Sequence, residues 1–119
     1  MVADSLQLLA WTLTALGRGR ELIDVLPLQA DVPWVRAAEA FAVGDVGRAA
    51  DICAAMGART EEARDRLWLA EALIEQDRRA EADSELERAL SFYRSVGATR
   101  YVHQGEALMA ADARQRGRA

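Results

Sequence analysis

The fold is decided by residues 34–57, WVRAAEAFAVGDVGRAADICAAMG. Residues 67–90, LWLAEALIEQDRRAEADSELERAL, follow 33 positions later with the same spacing of small and apolar side chains. The pairs that share this offset are Ala37/Ala70, Ala40/Leu73, Ala49/Ala82, Cys53/Leu86 and Met56/Ala89. This period is typical of helical repeats, in which each unit is too short to bury its apolar face alone. The pattern therefore predicts helical hairpins stacked on one another.

Apolar residues recur at helical spacing through most of the chain, and no run alternates for long enough to predict a strand. The predicted helix ends are marked by Gly17, Gly44, Gly57 and Gly97. Asp45 and Asp77 are each expected to cap the helix that follows. The sequence thus predicts an all-α fold of about three antiparallel hairpins with a C-terminal capping helix. We expect one repeat domain over residues 1–113 and a polar, arginine-rich tail over residues 114–119.

The charge and hydrophobicity of the chain limit the classes of partner that it is expected to bind. The 119 residues carry a formal net charge of −4 and a sequence pI near 5.0, whereas binding to nucleic acid requires a clustered basic face. No apolar run approaches the ~18–20 residues that cross a bilayer, and no basic segment precedes the first apolar residues. We therefore expect a cytoplasmic protein with neither nucleic acid nor membrane as its partner.

The inventory of reactive side chains is small. The chain contains no lysine, which excludes a P-loop lysine, a Schiff base and a lysine general base. One histidine and one cysteine, His103 and Cys53, cannot supply a four-ligand zinc site of nitrogen and sulfur atoms. We expect Cys53 to be a small core residue, and His103 to be structural and partly exposed on the last helix. The sequence predicts no catalytic residue, no metal and no cofactor.

The alanines of this pattern resemble those of the tetratricopeptide repeat, a hairpin of two helices with small residues where the helices cross. The corresponding small residues here are Ala10, Ala37, Ala49, Ala70, Ala82 and Ala89. A bulkier residue at such a crossing is expected to overpack the contact at a cost of about 1–3 kcal/mol. The first unit departs from the pattern, because Leu22 stands where a small residue is expected. We interpret this unit as a degenerate end repeat, and an irregular helical bundle is the alternative fold.

Two stretches carry a closer resemblance: VPWVRAAEAF at residues 32–41 and FYRSVGATRY at residues 92–101. They are similar to the C-terminal helical repeats of large bacterial signalling proteins, which join a cyclase domain or a DNA-binding activator domain to an ATP-binding module. The cyclases of these proteins are adenylate or guanylate cyclases. The resemblance implies that this chain is the distal end of such an architecture, either excised or encoded separately. The metal-binding aspartates of a cyclase and the Walker motif are absent from the sequence, so the resemblance implies no enzymatic activity here.

In the tetratricopeptide family the first helix of each hairpin lines most of the concave groove. Carried onto this chain, the resemblance implies a groove of Trp11, Thr14, Trp34, Ala38, Phe41, Leu67, Glu71, Ile74 and Glu75. Such a groove is expected to receive an amphipathic helix of a protein or peptide partner, or another domain of the same parent protein. The competing interpretation is that these side chains pack against neighbouring helices.

The leading functional interpretation is a non-catalytic interaction scaffold or an intramolecular regulatory scaffold. A ligand-sensing domain is the alternative, with a small apolar molecule bound among Trp11, Trp34 and Trp68. A homo-oligomer is also possible, because the end of a repeat stack exposes apolar surface.

Overall fold

The computed structural model describes residues 2–23 and 32–117. All secondary structure in these residues is helical, so the prediction of an all-α fold is confirmed. The helices are α1 (Val2–Ala15), α2 (Gly19–Ile23), α3 (Pro33–Ala42), α4 (Val46–Ala55), α5 (Arg59–Glu75), α6 (Arg79–Ser95) and α7 (Thr99–Gly117). Helix α7 continues through residues 114–117, the part of the predicted tail that is described. Residues 118–119 and the side chain of Leu22 lie outside the description.

Five of these helices end in one backbone motif. The residues with positive φ at these ends are Gly17 (72°), Gly44 (91°), Gly57 (75°), Asp77 (61°) and Gly97 (68°). At the end of α3, the amide of Gly44 donates to the carbonyl of Phe41 at 3.0 Å, and the amide of Asp45 donates to that of Ala40 at 2.8 Å. The other four ends repeat both hydrogen bonds, which define the Schellman motif. All four glycines that were predicted to end helices occupy this position.

The prediction for Asp77 is wrong in one respect. Asp45 caps α4 as expected, because its Oδ1 accepts the backbone N–H of Arg48 at 3.3 Å. Asp77, by contrast, occupies the left-handed position that Gly44 occupies in the earlier corner. The N-cap of α6 is Arg78, whose side chain makes no capping hydrogen bond. The 33-residue repeat explains the difference, since it aligns Asp77 with Gly44 and Arg78 with Asp45.

The described chain divides into two compact units, Met1–Asp65 and Arg66–Ala119, and α5 contributes residues to both. In the first unit, α1 packs on α3, α3 packs on α4, and α2 contacts both α1 and α3. Ala10, Val35 and Ala38 form a buried cluster there, and Leu13 and Ala42 pack against it. Small side chains therefore let α1 and α3 approach closely.

The second unit contains the contact between α6 and α7. Leu86, Leu90 and Tyr93 of α6 are buried in it. The ring of Tyr93 stacks on that of Tyr101 with centroids 4.8 Å apart and an interplanar angle of 16°. The stretch at residues 92–101 thus forms a corner between two helices that an aromatic pair closes.

The alanines singled out in the sequence are all fully buried within their own units. The residues with no exposed surface include Ala10, Ala37, Ala49, Ala70, Ala82 and Ala89. A larger side chain at any of these six positions would have to displace its neighbours.

Candidate functional site

The nine predicted groove residues have very different environments. Ala38 and Phe41 are fully buried in the first unit, and Leu67 is 4% exposed in the second. Half-buried members are Trp11, Thr14, Trp34 and Ile74, whereas Glu71 and Glu75 are exposed. Burial of Ala38, Phe41 and Leu67 is what the packing interpretation expects, because a core side chain offers no surface to a partner. The groove itself stays a prediction.

Trp11 has a specific structural partner. Its indole Nε1 donates a hydrogen bond to Oδ1 of Asp65 at 2.7 Å, which ties α1 to α5. The guanidinium carbon of Arg64 lies 4.6 Å from the centroid of the Trp11 ring, within the range of a cation–π contact. Both the polar edge and a face of this tryptophan are therefore engaged inside the first unit. Thr14, one turn further along α1, has a buried hydroxyl with no hydrogen-bond partner among the described residues.

Asp65 is a buried carboxyl, with no exposed surface. Besides the indole of Trp11, the thiol of Cys53 donates to its Oδ2 at 3.8 Å. Burial raises the pKa of Asp65 to about 7, although both hydrogen bonds lower it. Among the charged neighbours, Glu61 raises this pKa and Arg64 lowers it. A carboxyl with a pKa near 7 is suited to proton transfer, but complete burial separates this one from any substrate, so we assign it a structural role.

Cys53 behaves as a core residue. It is fully buried and unpaired with any other cysteine. The pKa of its thiol is raised to about 12, mainly by burial. The negative charges of Asp65, Glu61 and Glu62 also raise this pKa, and Asp65 has the largest effect of the three. The thiol is therefore protonated at neutral pH and is a poor nucleophile.

The first unit has surface depressions along the hairpin of α3 and α4. A depression of about 390 Å³ is lined by Pro33, Arg36, Arg48, Asp51, Ile52, Ala55 and Met56. A smaller one of about 90 Å³ shares Arg36 and Arg48 and adds Glu39, Ala40, Val43 and Asp45. We call these two adjoining depressions the hairpin groove.

Apolar and charged side chains of the hairpin groove differ in how far they are buried. The half-buried ones at its wider end are apolar: Pro33, Ile52 and Met56. The arginines and Asp51 are exposed, and Val43 at the other end is 60% exposed. Partly buried apolar side chains next to exposed charged groups are a common feature of protein interfaces.

Sequence reasoning missed both the hairpin groove and the role of Asp65. Arg36 and Arg48 were not among the predicted groove residues, since the 3.6-residue period that marks a buried stripe says nothing about how two polar faces meet. Asp65 lies in the second turn of α5, and nothing in the sequence around it indicates its partner in α1. The charged residues around it in the sequence, from Glu61 to Arg66, give no sign that one carboxyl among them is buried.

The second unit holds two ion pairs with buried members. Arg66, 2% exposed, donates from Nη1 to Oε2 of Glu85 at 3.0 Å. Nη1 of Arg79 donates to Oδ1 of Asp112 at 2.6 Å, and the side chain of Asp112 is completely buried. These pairs join α5 to α6 and α6 to α7, respectively, so we assign them to the packing of the unit.

Other site classes find little support in the described residues. No group of three or more His, Cys, Asp or Glu side chains is arranged to hold a metal ion in this part of the chain. His103 is exposed on α7. Across residues 2–23 and 32–117, no helix is both long enough and apolar enough to span a membrane.

No family model matches this chain, and comparison with curated proteins and with solved structures finds no match.

Proposed function

We propose that this chain is a non-catalytic interaction scaffold that contacts another protein, or another domain of the same parent protein, through the hairpin groove. The single observation that supports this most is the arrangement of the groove, where half-buried Pro33, Ile52 and Met56 lie beside exposed arginines. Apolar side chains at the centre of an interface supply most of its affinity, and charged groups around them restrict the choice of partner.

Residues 32–41 and 92–101 resemble repeats of bacterial signalling proteins, and this resemblance supports a place for the scaffold within a larger signalling protein. We place it in the cytoplasm, at the distal end of a cyclase or a transcriptional regulator, where it relays or restrains the activity of other domains. In this setting the chain itself performs no chemistry. The fully buried Asp65 and the protonated, buried Cys53 agree with this proposal, because neither reaches solvent.

A selection experiment tests the proposal without a known partner. Random peptides of about 16 residues, long enough for roughly four helical turns, are displayed and selected on the immobilised full chain. Peptides that bind are then measured against a variant of the groove, Val43→Gln with Met56→Gln. We expect binding to weaken about tenfold or more, since both substitutions place an amide in the apolar surface of the groove.

The chain offers a matched control. Leu16 and Val96 immediately precede the positive-φ glycines of their corners, as Val43 and Met56 do, and they are 63% and 58% exposed. Leu16→Gln with Val96→Gln therefore makes the same chemical change at the same backbone position, outside the groove. We expect it to change binding less than about twofold. Failure to recover any binding peptide, or equal losses in the two variants, would contradict the proposal.

A further inference from the structure

Helix α1 is held on the first unit by few buried side chains. Of its described side chains, those of residues 8–15, Ala10 is the one that is fully buried, and it packs in the cluster shared with α3. Leu8 and Leu9 of the same helix are 58% and 44% exposed. A segment with few buried apolar contacts opens at a lower free-energy cost than the whole domain. We therefore expect α1 to open locally while α3 and α4 remain packed on each other.

One carboxyl of α5, that of Asp65, holds the polar edge of α1. Nε1 of Trp11 donates to its Oδ1 at 2.7 Å, and Arg64 lies 4.6 Å from the centroid of the Trp11 ring. Thr14 has the opposite effect, because its buried hydroxyl has no hydrogen-bond partner among the described residues and such a group costs free energy. The packed position of α1 consequently depends on the hydrogen bond to Asp65 and on the charge of that carboxyl.

The groups that face Asp65 come from three helices. Trp11 of α1 and Cys53 of α4 each donate a hydrogen bond to it, and on α5 itself Glu61 raises its pKa whereas Arg64 lowers it. A carboxylate has room for about four hydrogen bonds, and within the described residues it receives these two, one of them from a weak thiol donor. Burial also keeps water away from the carboxyl. The ionised form is therefore stabilised only in part while α1 is packed.

We propose that Asp65 acts as a proton-controlled latch: its neutral carboxyl keeps α1 packed on α3 and hydrogen-bonded to α5, and its ionisation releases α1. In the open position water reaches the carboxylate, so opening and loss of the proton favour each other. Opening would uncover Val35 and Ala38, the α3 side of the buried cluster, in the helix that contributes Pro33 to the hairpin groove. The latch goes beyond the proposed function and does not depend on it, because it needs no occupant of the groove.

The direction and range of the pH dependence follow from the pKa of Asp65 in the two positions. In the open, hydrated position the pKa takes its ordinary value of 3.8, whereas in the packed position it is about 7. Between these values opening releases one proton, so the open population rises about tenfold per pH unit. Below about pH 4 and above about pH 7 the two positions hold the same number of protons, and the open population is constant. Acidification from pH 7 to pH 6 therefore favours the packed position roughly fivefold.

Native-state hydrogen exchange of the full chain tests the latch, because it detects the opening of α1 without unfolding of the rest. Exchange rates are measured from pH 5 to pH 8 and divided by those of an unstructured peptide, which removes the direct effect of pH on exchange. We expect the protection of the α1 amides to fall about 50-fold from pH 5 to pH 7 and only about twofold from pH 7 to pH 8. Low concentrations of urea should accelerate exchange in α4 far more than in α1, since a local opening exposes little surface.

The variant Asp65→Asn keeps a carbonyl oxygen that accepts the indole N–H of Trp11 but does not titrate. Its α1 protection should be independent of pH over this range. Asp51→Asn removes an exposed carboxyl of the same unit and is the matched control, because it leaves Asp65 and its partners in place. The pH dependence of α1 protection should persist in it.

Two results would overturn the latch from the wild-type protein alone, even where Asp65→Asn does not fold. One is α1 protection that stays constant from pH 5 to pH 7. The other is exchange of α1 only through the urea-dependent unfolding that it shares with α4. In the variants, an equal pH dependence in Asp65→Asn and Asp51→Asn would assign the effect to a group other than Asp65 and overturn the latch as well. None of these results bears on the peptides selected for the hairpin groove, so the proposed function is tested separately.

Discussion

The indole Nε1 of Trp11 lies 2.7 Å from Oδ1 of Asp65, although 54 residues separate them in the sequence. This hydrogen bond joins the first helix of the chain to α5, and the thiol of Cys53 in α4 donates to the other carboxyl oxygen. Three helices of the first unit thus meet at one buried carboxyl. The protonation of Asp65 is consequently coupled to the stability of the whole unit.

Asp65→Asn is expected to flatten the pH dependence of stability. In the folded protein, burial raises the pKa of Asp65 from its ordinary 3.8 to about 7. The stability that this group contributes is therefore fully present below about pH 4 and is lost as the pH rises through 7. A pKa difference of this size corresponds to a loss on the order of 4 kcal/mol. The asparagine side chain is neutral throughout this range, so urea unfolding at pH 4, 6 and 8 should show a smaller decline for the variant than for the wild type.

Other titrating groups affect both proteins, so the quantity to compare is the difference between their pH profiles. Asp51→Asn, which removes an exposed carboxyl of the same unit, serves as the control because it leaves Asp65 and its partners in place. A wild-type protein that gains stability from pH 4 to pH 8 relative to Asp65→Asn would show that the carboxylate, not the neutral acid, is the favoured form.

Trp11→Phe removes the donor while keeping an aromatic ring in place. A buried acceptor that loses its partner costs about 1–3 kcal/mol, and we expect the free energy of unfolding to fall by this amount at neutral pH. The loss should depend on the acceptor, because the hydrogen bond from Trp11 favours the charged form of Asp65. In a double-mutant cycle with Asp65→Ala, the two substitutions together should therefore cost less than the sum of their separate effects. Strict additivity would mean that the hydrogen bond contributes nothing.

Much of the fold could be predicted because the helix ends carry local signals. Four of the helices end in a Schellman motif whose left-handed residue is glycine. Because this conformation favours glycine, such a helix end can be predicted from a single residue. Asp77 was expected to cap α6 because aspartate is also a common N-cap, although the repeat pattern also placed it, like Gly17 and Gly44, at the turn between two helices. The 33-residue alignment with Gly44 is the signal that decides between the two positions.

The candidate sites were harder to predict because they depend on contacts between distant residues. No local pattern links Trp11 to Asp65. Arg36 and Arg48 line the same depressions because α3 packs on α4, and the apolar stripe constrains the rotation of the two helices only loosely. Ala38 and Phe41 lie at helical spacing, as buried side chains do, but the family resemblance assigned them to a groove. Both are completely buried, because neighbouring helices cover them.

Asp77→Gly is expected to stabilise the protein. Asp77 is the non-glycine residue with a positive φ, 61°, among the described residues, and a side chain in this conformation costs roughly 1 kcal/mol. The substitution also removes the ion pair of Asp77 with Arg79 at 2.7 Å, but the Asp77 side chain is 81% exposed and such pairs contribute little. We expect a net gain of about 0.5–1 kcal/mol in chemical unfolding.

Gly44→Ala is the reverse experiment at the aligned corner. A Cβ at Gly44 would meet no atom within 4 Å, so the expected loss of about 1–2 kcal/mol would come from backbone conformation alone. Destabilisation by Asp77→Gly would show instead that the carboxylate contributes more than its backbone conformation costs.

Two ion pairs between α6 and α7 should differ in their contribution because they differ in burial. Oδ1 of Asp112 lies 2.6 Å from Nη1 of Arg79 with its side chain fully buried, whereas Glu106 and Arg94, 3.0 Å apart, are 49% and 54% exposed. Asp112→Asn and Glu106→Gln each remove one charge without changing size. We expect a loss of about 1–3 kcal/mol for the buried residue and less than about 1 kcal/mol for the exposed one.

Hydrogen exchange locates the effect, because local opening of α7 exposes its amides without unfolding the first unit. In Asp112→Asn the amides of α7 should exchange faster, while those of α3 and α4 keep their wild-type rates. In Glu106→Gln both sets should be close to wild type. Equal acceleration by the two substitutions would mean that burial does not strengthen the Arg79 pair, and that α7 is held on α6 by apolar contacts such as the stacked Tyr93 and Tyr101.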